Sequence, residues 1–151
     1  MSFMQLVVFK LDGQEYGVDI KDVREIGPLG KIVKLPNTPD YLEGILDLRE
    51  QIIPVVNLKK RLKTIKSDIC EDSRVLITLS SNRLMGYVVD EAQEVISVDI
   101  ESIEKNFDLN ANVHSRYVKG VAKIEERIIV LLSLSAIIKE EQHENVNEVN
   151  M

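Results

Sequence analysis

Residues with reactive or metal-binding side chains are scarce in this chain of 151 residues, which contains one cysteine and two histidines. Cys70 cannot form an internal disulfide, and it has no histidine or second cysteine at metal-ligand spacing. The histidines lie in a long predicted connection and in the C-terminal tail, so they form no pair. The sequence also lacks a phosphate-binding glycine loop and a nucleophile elbow. We therefore expect no catalytic activity, no metal and no cofactor.

Positive charge and aromatic residues are also in short supply. The chain has 19 lysines and arginines against 25 acidic residues, with a net charge of −6, and nucleic acids and anionic membranes attract basic surfaces. Four tyrosines and three phenylalanines are few for a surface that stacks bases. The longest nearly apolar run, residues 128–138, is shorter than the ~20 residues of a membrane-spanning helix, and no signal peptide is recognisable. We expect a cytoplasmic protein that neither binds nucleic acid nor inserts into a membrane.

Short alternating segments rich in β-branched residues run through the whole chain, and glycines and prolines separate them. Short strands at close spacing are typical of small barrels or of a sandwich. The sequence therefore predicts a mainly β fold. The predicted strands are residues 6–9, 15–20, 24–26, 31–35, 44–49, 51–56, 74–79, 84–90, 94–99, 118–124 and 127–132.

The two halves of the chain resemble each other. Residues 41–62, YLEGILDLREQIIPVVNLKKRL, match residues 117–138, YVKGVAKIEERIIVLLSLSAII, at an offset of 76 that aligns Gly44 with Gly120. An upstream segment matches at an offset of 69. A repeat of this size predicts two similar subdomains, which share a core because a unit of about 70 residues buries little alone.

Residues that cap helices well follow the last strand of each half, at the equivalent positions Asn57 and Ser133. The sequence predicts a short helical turn after Asn57. A longer helix is expected after Ser133, with Leu134, Ile137 and Ile138 on its buried side.

Two short charged runs are interpreted as solvated structure. Lys59, Lys60 and Arg61 form a basic run at a predicted helix end, with a phosphate site as the alternative interpretation. Asp90 and Glu91 form an acidic pair at a strand end, where adjacent side chains face opposite sides. A solvated turn is expected there, and not a catalytic site.

A third charged group interrupts an otherwise apolar segment, where Asp47, Arg49 and Glu50 lie among isoleucine, leucine and valine. Alternation along a strand predicts one buried face and one polar face, with Asp47 and Arg49 on the polar one. The second half has Lys123 and Glu125 at those two positions, so the polar face is kept while each charge inverts. The fold needs no arginine here. Arg49 is therefore interpreted as a recognition residue, with an ordinary surface ion pair as the alternative.

At this level of detail the chain resembles the CheW-like domain family of bacterial chemotaxis over residues 3–139. The segments that carry the resemblance are EYGVDIKDVREIG, NTPDYLEGILDLREQIIPVVNLKKRL, VLITLSSNRLMGYVVDEAQEVISV and YVKGVAKIEERIIVLLSLSAII, in the family's order and spacing. Such domains also occur fused to a histidine kinase or to a receiver domain. Neither is recognisable here, so a stand-alone adaptor is expected.

The resemblance implies a fold of two five-stranded SH3-like β-barrels that share one hydrophobic core, with a short C-terminal helix. The implied boundaries are a single domain over residues 1–142, a first barrel at about 14–66, a second barrel at about 67–132 with an N-terminal strand added, a helix at about 133–142 and a flexible tail at 143–151.

The resemblance also implies a non-enzymatic adaptor. It would couple the cytoplasmic tips of methyl-accepting chemoreceptors to the regulatory domain of the histidine kinase CheA, within arrays at the membrane. The alternative is a CheW-like scaffold in a different two-component signalling complex. The implied partner-binding positions are Ile20, Val23, Glu25, Gly44 and Arg49.

Each implied position except Glu25 has a second interpretation or a complication. An apolar groove is expected near Ile20 and Val23, where the barrels meet, and the alternative for both is an ordinary core residue, equally so for Ile20. Gly44 could serve backbone geometry, since Gly120 repeats it. Next to Arg49, the family usually has glycine where this chain has Glu50. That change removes easy access to positive φ and adds a charge, which could hold Arg49 in place or compete with a partner for it.

Overall fold

The computed structural model describes residues 2–62, 69–80, 82–105 and 117–137. The predicted mainly β fold is confirmed, and every predicted strand is present, although the one at 31–35 is reduced to two residues. The strands are β1 Phe3–Leu11, β2 Gln14–Asp19, β3 Val23–Pro28, β4 Ile32–Val33, β5 Leu42–Leu48, β6 Gln51–Asn57, β7 Arg74–Ser80, β8 Arg83–Val89, β9 Glu91–Asp99, β10 Val118–Ile124 and β11 Arg127–Leu132.

The helical segments are short. They are 3-10 turns at Ile20–Asp22 and Ile100–Ser102, helix α1 at Leu58–Arg61, and helix α2, which begins at Leu134 and is described to residue 137. Within the described ranges, no helix has the length and apolar character needed to cross a membrane. The remainder of the predicted C-terminal helix, Ile138 included, and the predicted tail at 143–151 lie outside the described residues.

The strands form two sheets. Sheet I has five strands in the order β10-β11-β2-β1-β9, and sheet II has six in the order β3-β7-β8-β6-β5-β4. Neighbours pair antiparallel, except for the parallel pairs β2 with β11 and β6 with β8. Each parallel pair joins a strand of the first half of the chain to a strand of the second half.

The two sheets do not follow the two halves of the chain, because the halves exchange their first hairpins. The barrel boundaries at about 14–66 and 67–132, with an N-terminal strand added to the second, stay a prediction. The β1–β2 hairpin lies with β9, β10 and β11, while the β7–β8 hairpin lies with β3 to β6. The 3-10 turn after β2 redirects the chain toward sheet II. Asp19 caps this turn by accepting a hydrogen bond from the Lys21 N–H at 3.0 Å. Neither half of the sequence therefore builds a sheet alone.

The repeat itself is confirmed at atomic level. The Asn57 N–H donates to the Tyr41 carbonyl at 2.7 Å, and the Ser133 N–H donates to the Tyr117 carbonyl at the same distance. Both predicted caps are also confirmed, since the Asn57 side chain accepts from the Lys60 N–H and the Ser133 hydroxyl accepts from the Ala136 N–H. The same local chemistry thus ends the last strand of each half.

One large hydrophobic cluster joins the sheets and confirms the shared core. Phe9 and Val18 enter it from sheet I, and Leu76 and Tyr87 enter it from sheet II. The guanidinium of Arg61 lies inside the same region, 4.7 Å from the ring centre of Tyr41 and 5.5 Å from that of Tyr117. Each sheet also has one smaller hydrophobic cluster formed by its own residues.

Backbone geometry requires glycine at position 44. Gly44 lies at a β-bulge in β5 with φ of +147°, and a Cβ built there would lie 2.1 Å from the carbonyl oxygen of Val33. Gly120 lies at the equivalent bulge, where a Cβ would approach Ile103 to 2.7 Å. The structural interpretation of Gly44 is therefore sufficient to explain the residue.

A cluster of ion pairs around Lys59 contradicts the prediction that the basic run at residues 59–61 is solvated. Lys59 and Arg61 are buried. The Lys59 ammonium lies 2.7 Å from an oxygen of Asp90 and 3.4 Å from one of Asp12, and the Asp12 N–H donates to Asp90 at 2.7 Å. Since Asp12 follows β1, Asp90 links β8 to β9 and Lys59 follows β6, this cluster connects the two sheets. Tertiary partners, which a local charge pattern does not show, account for the burial.

Burial lowers the pKa of Lys59, but hydrogen bonds to Asp90 and Asp12 and their negative charges outweigh burial, so the pKa is raised above its ordinary 10.5. A raised pKa in the folded state stabilises the fold fully below the ordinary value, and the gain is lost as the pH rises through the folded value. The contribution of the lysine is therefore constant through neutral pH.

Gly44→Ala is expected to lower the free energy of unfolding by about 2 kcal/mol or more, because alanine is strained at this φ and its Cβ would collide with main-chain atoms. Gly27→Ala is the matched control in the same sheet, where an added Cβ meets no atom within 4 Å. Urea unfolding of both variants measures the difference, and equal stabilities would show that the approach of Val33 does not constrain position 44.

Lys59→Met is expected to lower the free energy of unfolding by about 2–3 kcal/mol, because the carboxylates of Asp12 and Asp90, whose side chains are 25% and 20% exposed, would lose their shared buried cation. Lys60→Met is the control, since the Lys60 side chain is 28% exposed and contacts its two carboxylates at 3.5 and 3.8 Å. Its loss should stay below about 1 kcal/mol. Chemical denaturation at pH 7 compares the two, and a Lys59 variant as stable as the Lys60 variant would exclude a role of the cluster in stability.

Candidate functional site

Arg49 and Glu50 form the two-residue turn between β5 and β6, whose ends pair through Leu48 and Gln51. Both turn residues have positive φ, of 51° and 72°, as in the type I′ turns that suit the twist of a hairpin. The Asp47 carboxylate supports the turn by accepting a hydrogen bond from the Glu50 N–H at 3.1 Å. The prediction that Arg49 belongs to the strand is wrong, so the turn and not strand alternation sets its direction.

The structure brings two of the predicted partner-binding residues together. A guanidinium nitrogen of Arg49 lies 3.2 Å from a carboxylate oxygen of Glu25 on β3. The Arg49 side chain is nevertheless 80% exposed, against 30% for Glu25. An exposed ion pair of this kind adds at most about 1 kcal/mol to stability. Most of the hydrogen-bonding capacity of the guanidinium therefore faces solvent.

An apolar cavity of about 460 Å³ lies beside this ion pair, within sheet II. Its polar lining comes from Glu25, Asp47 and Lys31. Two of its apolar residues are exposed at the surface, Ile52 with 62% and Val33 with 50% of its area. The other apolar side chains that line it are Pro28, Ile45, Leu46, Leu48, Val75 and Ile77. An apolar centre with a polar rim has the composition of a protein-binding surface.

Ile20 and Val23 do not line this cavity. Both are partly buried and pack against the core that the two sheets share. The apolar cavity therefore lies within sheet II, whereas the sequence predicted a groove between the subdomains. For Ile20, the structure agrees with the alternative interpretation as a core residue, and its contribution to partner binding stays a prediction, as does that of Val23 and Gly44.

The equivalent hairpin in sheet I is closed by its own ion pairs. Arg127 contacts Glu15 at 2.6 Å and also pairs with Glu94, the repeat equivalent of Glu25. Hydrogen bonds that Arg127 donates to the carboxylates of Glu15 and Glu94 raise the pKa of Arg127. Its side chain is 36% exposed, less than half the exposed fraction of Arg49. Sheet I thus satisfies its arginine internally, while sheet II leaves Arg49 available.

The sequence analysis missed Arg127. The 76-residue offset aligns Arg127 with Gln51 and not with Arg49, so the repeat concealed that each sheet pairs an arginine with an equivalent glutamate. The residue that the repeat does keep is the acid, Glu25 in one half and Glu94 in the other. Among the described residues, no three acidic, cysteine or histidine side chains are grouped to hold a metal ion.

Comparison with known proteins places this geometry in one family. The family model of the CheW-like domain matches residues 5–142. The chemotaxis protein CheW of Klebsiella aerogenes is 27% identical over 96% of this chain and 87% of that protein. The chemotaxis protein CheW of Bacillus subtilis is 27% identical over 93% of this chain and 90% of that protein.

A solved structure agrees with these relatives. The scaffolding protein TtCheW from Thermoanaerobacter tengcongensis superposes with a TM-score of 0.80 and 37% sequence identity, over 89% of this chain and 86% of that one. The chain therefore belongs to the CheW-like domain family.

Proposed function

We propose that the protein is a chemotaxis scaffold without enzymatic activity, which couples chemoreceptor tips to the histidine kinase CheA in arrays at the cytoplasmic side of the membrane. The supporting observation is the exposed Arg49, which pairs with Glu25 in the polar lining of an apolar cavity, in a chain that belongs to the CheW-like family over residues 5–142. The names of the relatives, chemotaxis protein CheW and scaffolding protein TtCheW, support the same function.

The arrangement suits a partner that brings both an apolar and an acidic group. An aliphatic side chain could enter the cavity at Ile52 and Val33, which are already at the surface. An acid on the partner would accept hydrogen bonds from Arg49, whose planar guanidinium presents several donors in fixed directions. Arginine residues of this kind are frequent among those that dominate binding energy.

The receptor tip and the kinase differ in how they would use this surface. A receptor tip is a helical hairpin, and an amphipathic helix places apolar side chains into a groove at positions three and four residues apart. The regulatory domain of CheA is a folded β domain, which would dock a surface of fixed shape. Both partners are therefore tested separately against the same variants.

Arg49→Glu is expected to weaken binding of at least one partner by about 2 kcal/mol, roughly thirtyfold, because it removes a donor group and repels a partner acid. Folding should change by less than about 1 kcal/mol, since the pair with Glu25 is exposed. Moreover, Glu125 already occupies the equivalent turn position with nearly the same φ, 56° against 51°. Isothermal titration with the CheA regulatory domain and with a receptor tip measures both affinities.

Glu125→Arg is the matched control, because it makes the reverse charge change at the equivalent turn of sheet I. Its effect on the partner that Arg49 binds should be much smaller. If Arg49→Glu folds and binds both partners with unchanged affinity, the site is wrong. If the wild-type chain binds neither partner but co-purifies with another histidine kinase, the alternative signalling complex replaces the proposed one.

A further inference from the structure

Glu50 occupies a backbone position that suits glycine. Its φ is 72°, in the left-handed region that L-residues with a Cβ rarely adopt. The chain has another two-residue hairpin turn with the same pair of positive φ values, Asp12-Gly13 between β1 and β2, and glycine takes the second position there with φ of 82°. The turn at Arg49-Glu50 therefore carries a strained side chain where a glycine would serve the backbone better.

The fold makes no use of the Glu50 side chain. It is exposed, and it forms no hydrogen bond or ion pair with any of the residues that the structure describes. The hydrogen bond that supports the turn runs from the Glu50 N–H to Asp47, and this bond is available to any residue except proline. Stability thus explains neither the strain nor the charge.

The repeat does not explain the strain either. In the equivalent turn of sheet I, between β10 and β11, only Glu125 has a positive φ, and Glu126 has none. Glutamate is therefore accommodated without this strain at the position equivalent to Glu50. A strained residue at the second turn position is therefore a property of the sheet II hairpin, where Glu50 lies directly beside Arg49.

We infer that Glu50 is a specificity-determining residue of the partner-binding surface, which recognises a lysine or arginine on the partner. The inference rests on the proposed function of the Arg49 surface. Adjacent opposite charges at the tip require an acid opposite Arg49 and a base opposite Glu50. A partner that presents two acids would be repelled by Glu50, so the residue selects among partners that Arg49 alone would accept.

The test separates charge from strain with two variants. Glu50→Gln removes the charge and keeps the backbone strain of a residue with a Cβ at this φ, whereas Glu50→Gly removes both the charge and the strain. We expect both variants to bind the cognate partner about fivefold more weakly, mainly through slower association, as for a charge at the rim of an interface. The melting temperature should rise for Glu50→Gly and stay unchanged for Glu50→Gln.

The probes are the CheA regulatory domain and a receptor tip from the same organism, measured by surface plasmon resonance at several salt concentrations. Wild-type binding should weaken more steeply with salt than binding of Glu50→Gln. Glu50→Lys, combined with an acid in place of the partner's base, should restore the affinity. A Glu50→Gln variant with wild-type affinity and salt dependence would overturn the inference.

Arg49→Glu, measured in the same series, distinguishes failure of the inference about Glu50 from failure of the proposed function. If Arg49→Glu weakens binding and Glu50→Gln does not, Glu50 is not a specificity residue and the proposed function stands. If neither variant changes the affinity for either probe, the hairpin is not the binding surface, and the inference fails together with the site on which it rests.

Discussion

Burial of both sheets against one core is the constraint on which the rest of this structure depends. Phe9 from sheet I and Tyr87 from sheet II are fully buried in the same cluster, and each such side chain contributes roughly 1.5–3 kcal/mol relative to an exposed one. The strand exchange makes the dependence mutual, since each sheet takes a hairpin from the other half of the chain. Separating the two halves of the chain would break the parallel strand pairs inside each sheet as well as the core. Surfaces on the two sheets are therefore held in a fixed relation, which the proposed coupling of two partners requires.

Patterns between neighbours in sequence were sufficient to predict the strands and the helix caps. They were insufficient to predict which strands and side chains contact each other. Alternation located the strands, and the residue types at Asn57 and Ser133 located the caps, because both signals depend on neighbours in sequence. The repeat offset showed which segments are alike, but two like hairpins can pair with their own half or with the other half at equal local cost. The exchange is decided by packing in the shared core. Lys59 shows the same limit: a basic run looks solvated until Asp12 and Asp90 are brought to it.

Part of the candidate site was predicted from the sequence. The prediction of its geometry was wrong at the end of β5, where strand alternation no longer applies. Glu25 and Arg49 were expected as partner-binding residues from the resemblance, and the structure places them 3.2 Å apart. Alternation assigned Arg49 to a strand face. Arg49 instead lies in a two-residue turn, and the φ values of the turn set the direction of its side chain. The cavity beside it is built from several strands of sheet II. No local pattern contains that information, so the predicted groove was placed at the junction of the subdomains instead.

The two hairpins show how a duplicated fold can give different surfaces. The first turn residues, Arg49 and Glu125, have nearly the same φ, whereas at the second position Glu50 has a positive φ and Glu126 does not. Charge distinguishes them: Glu15 and Glu94 neutralise Arg127 and close the surface of sheet I, while a single glutamate leaves Arg49 exposed in sheet II. A change from arginine to glutamate at such a tip costs the fold little stability, because exposed charges contribute little to stability. Binding is affected far more, because charges in a desolvated interface are not screened by water. Partner choice can therefore diverge between the two tips while the shared core stays constant.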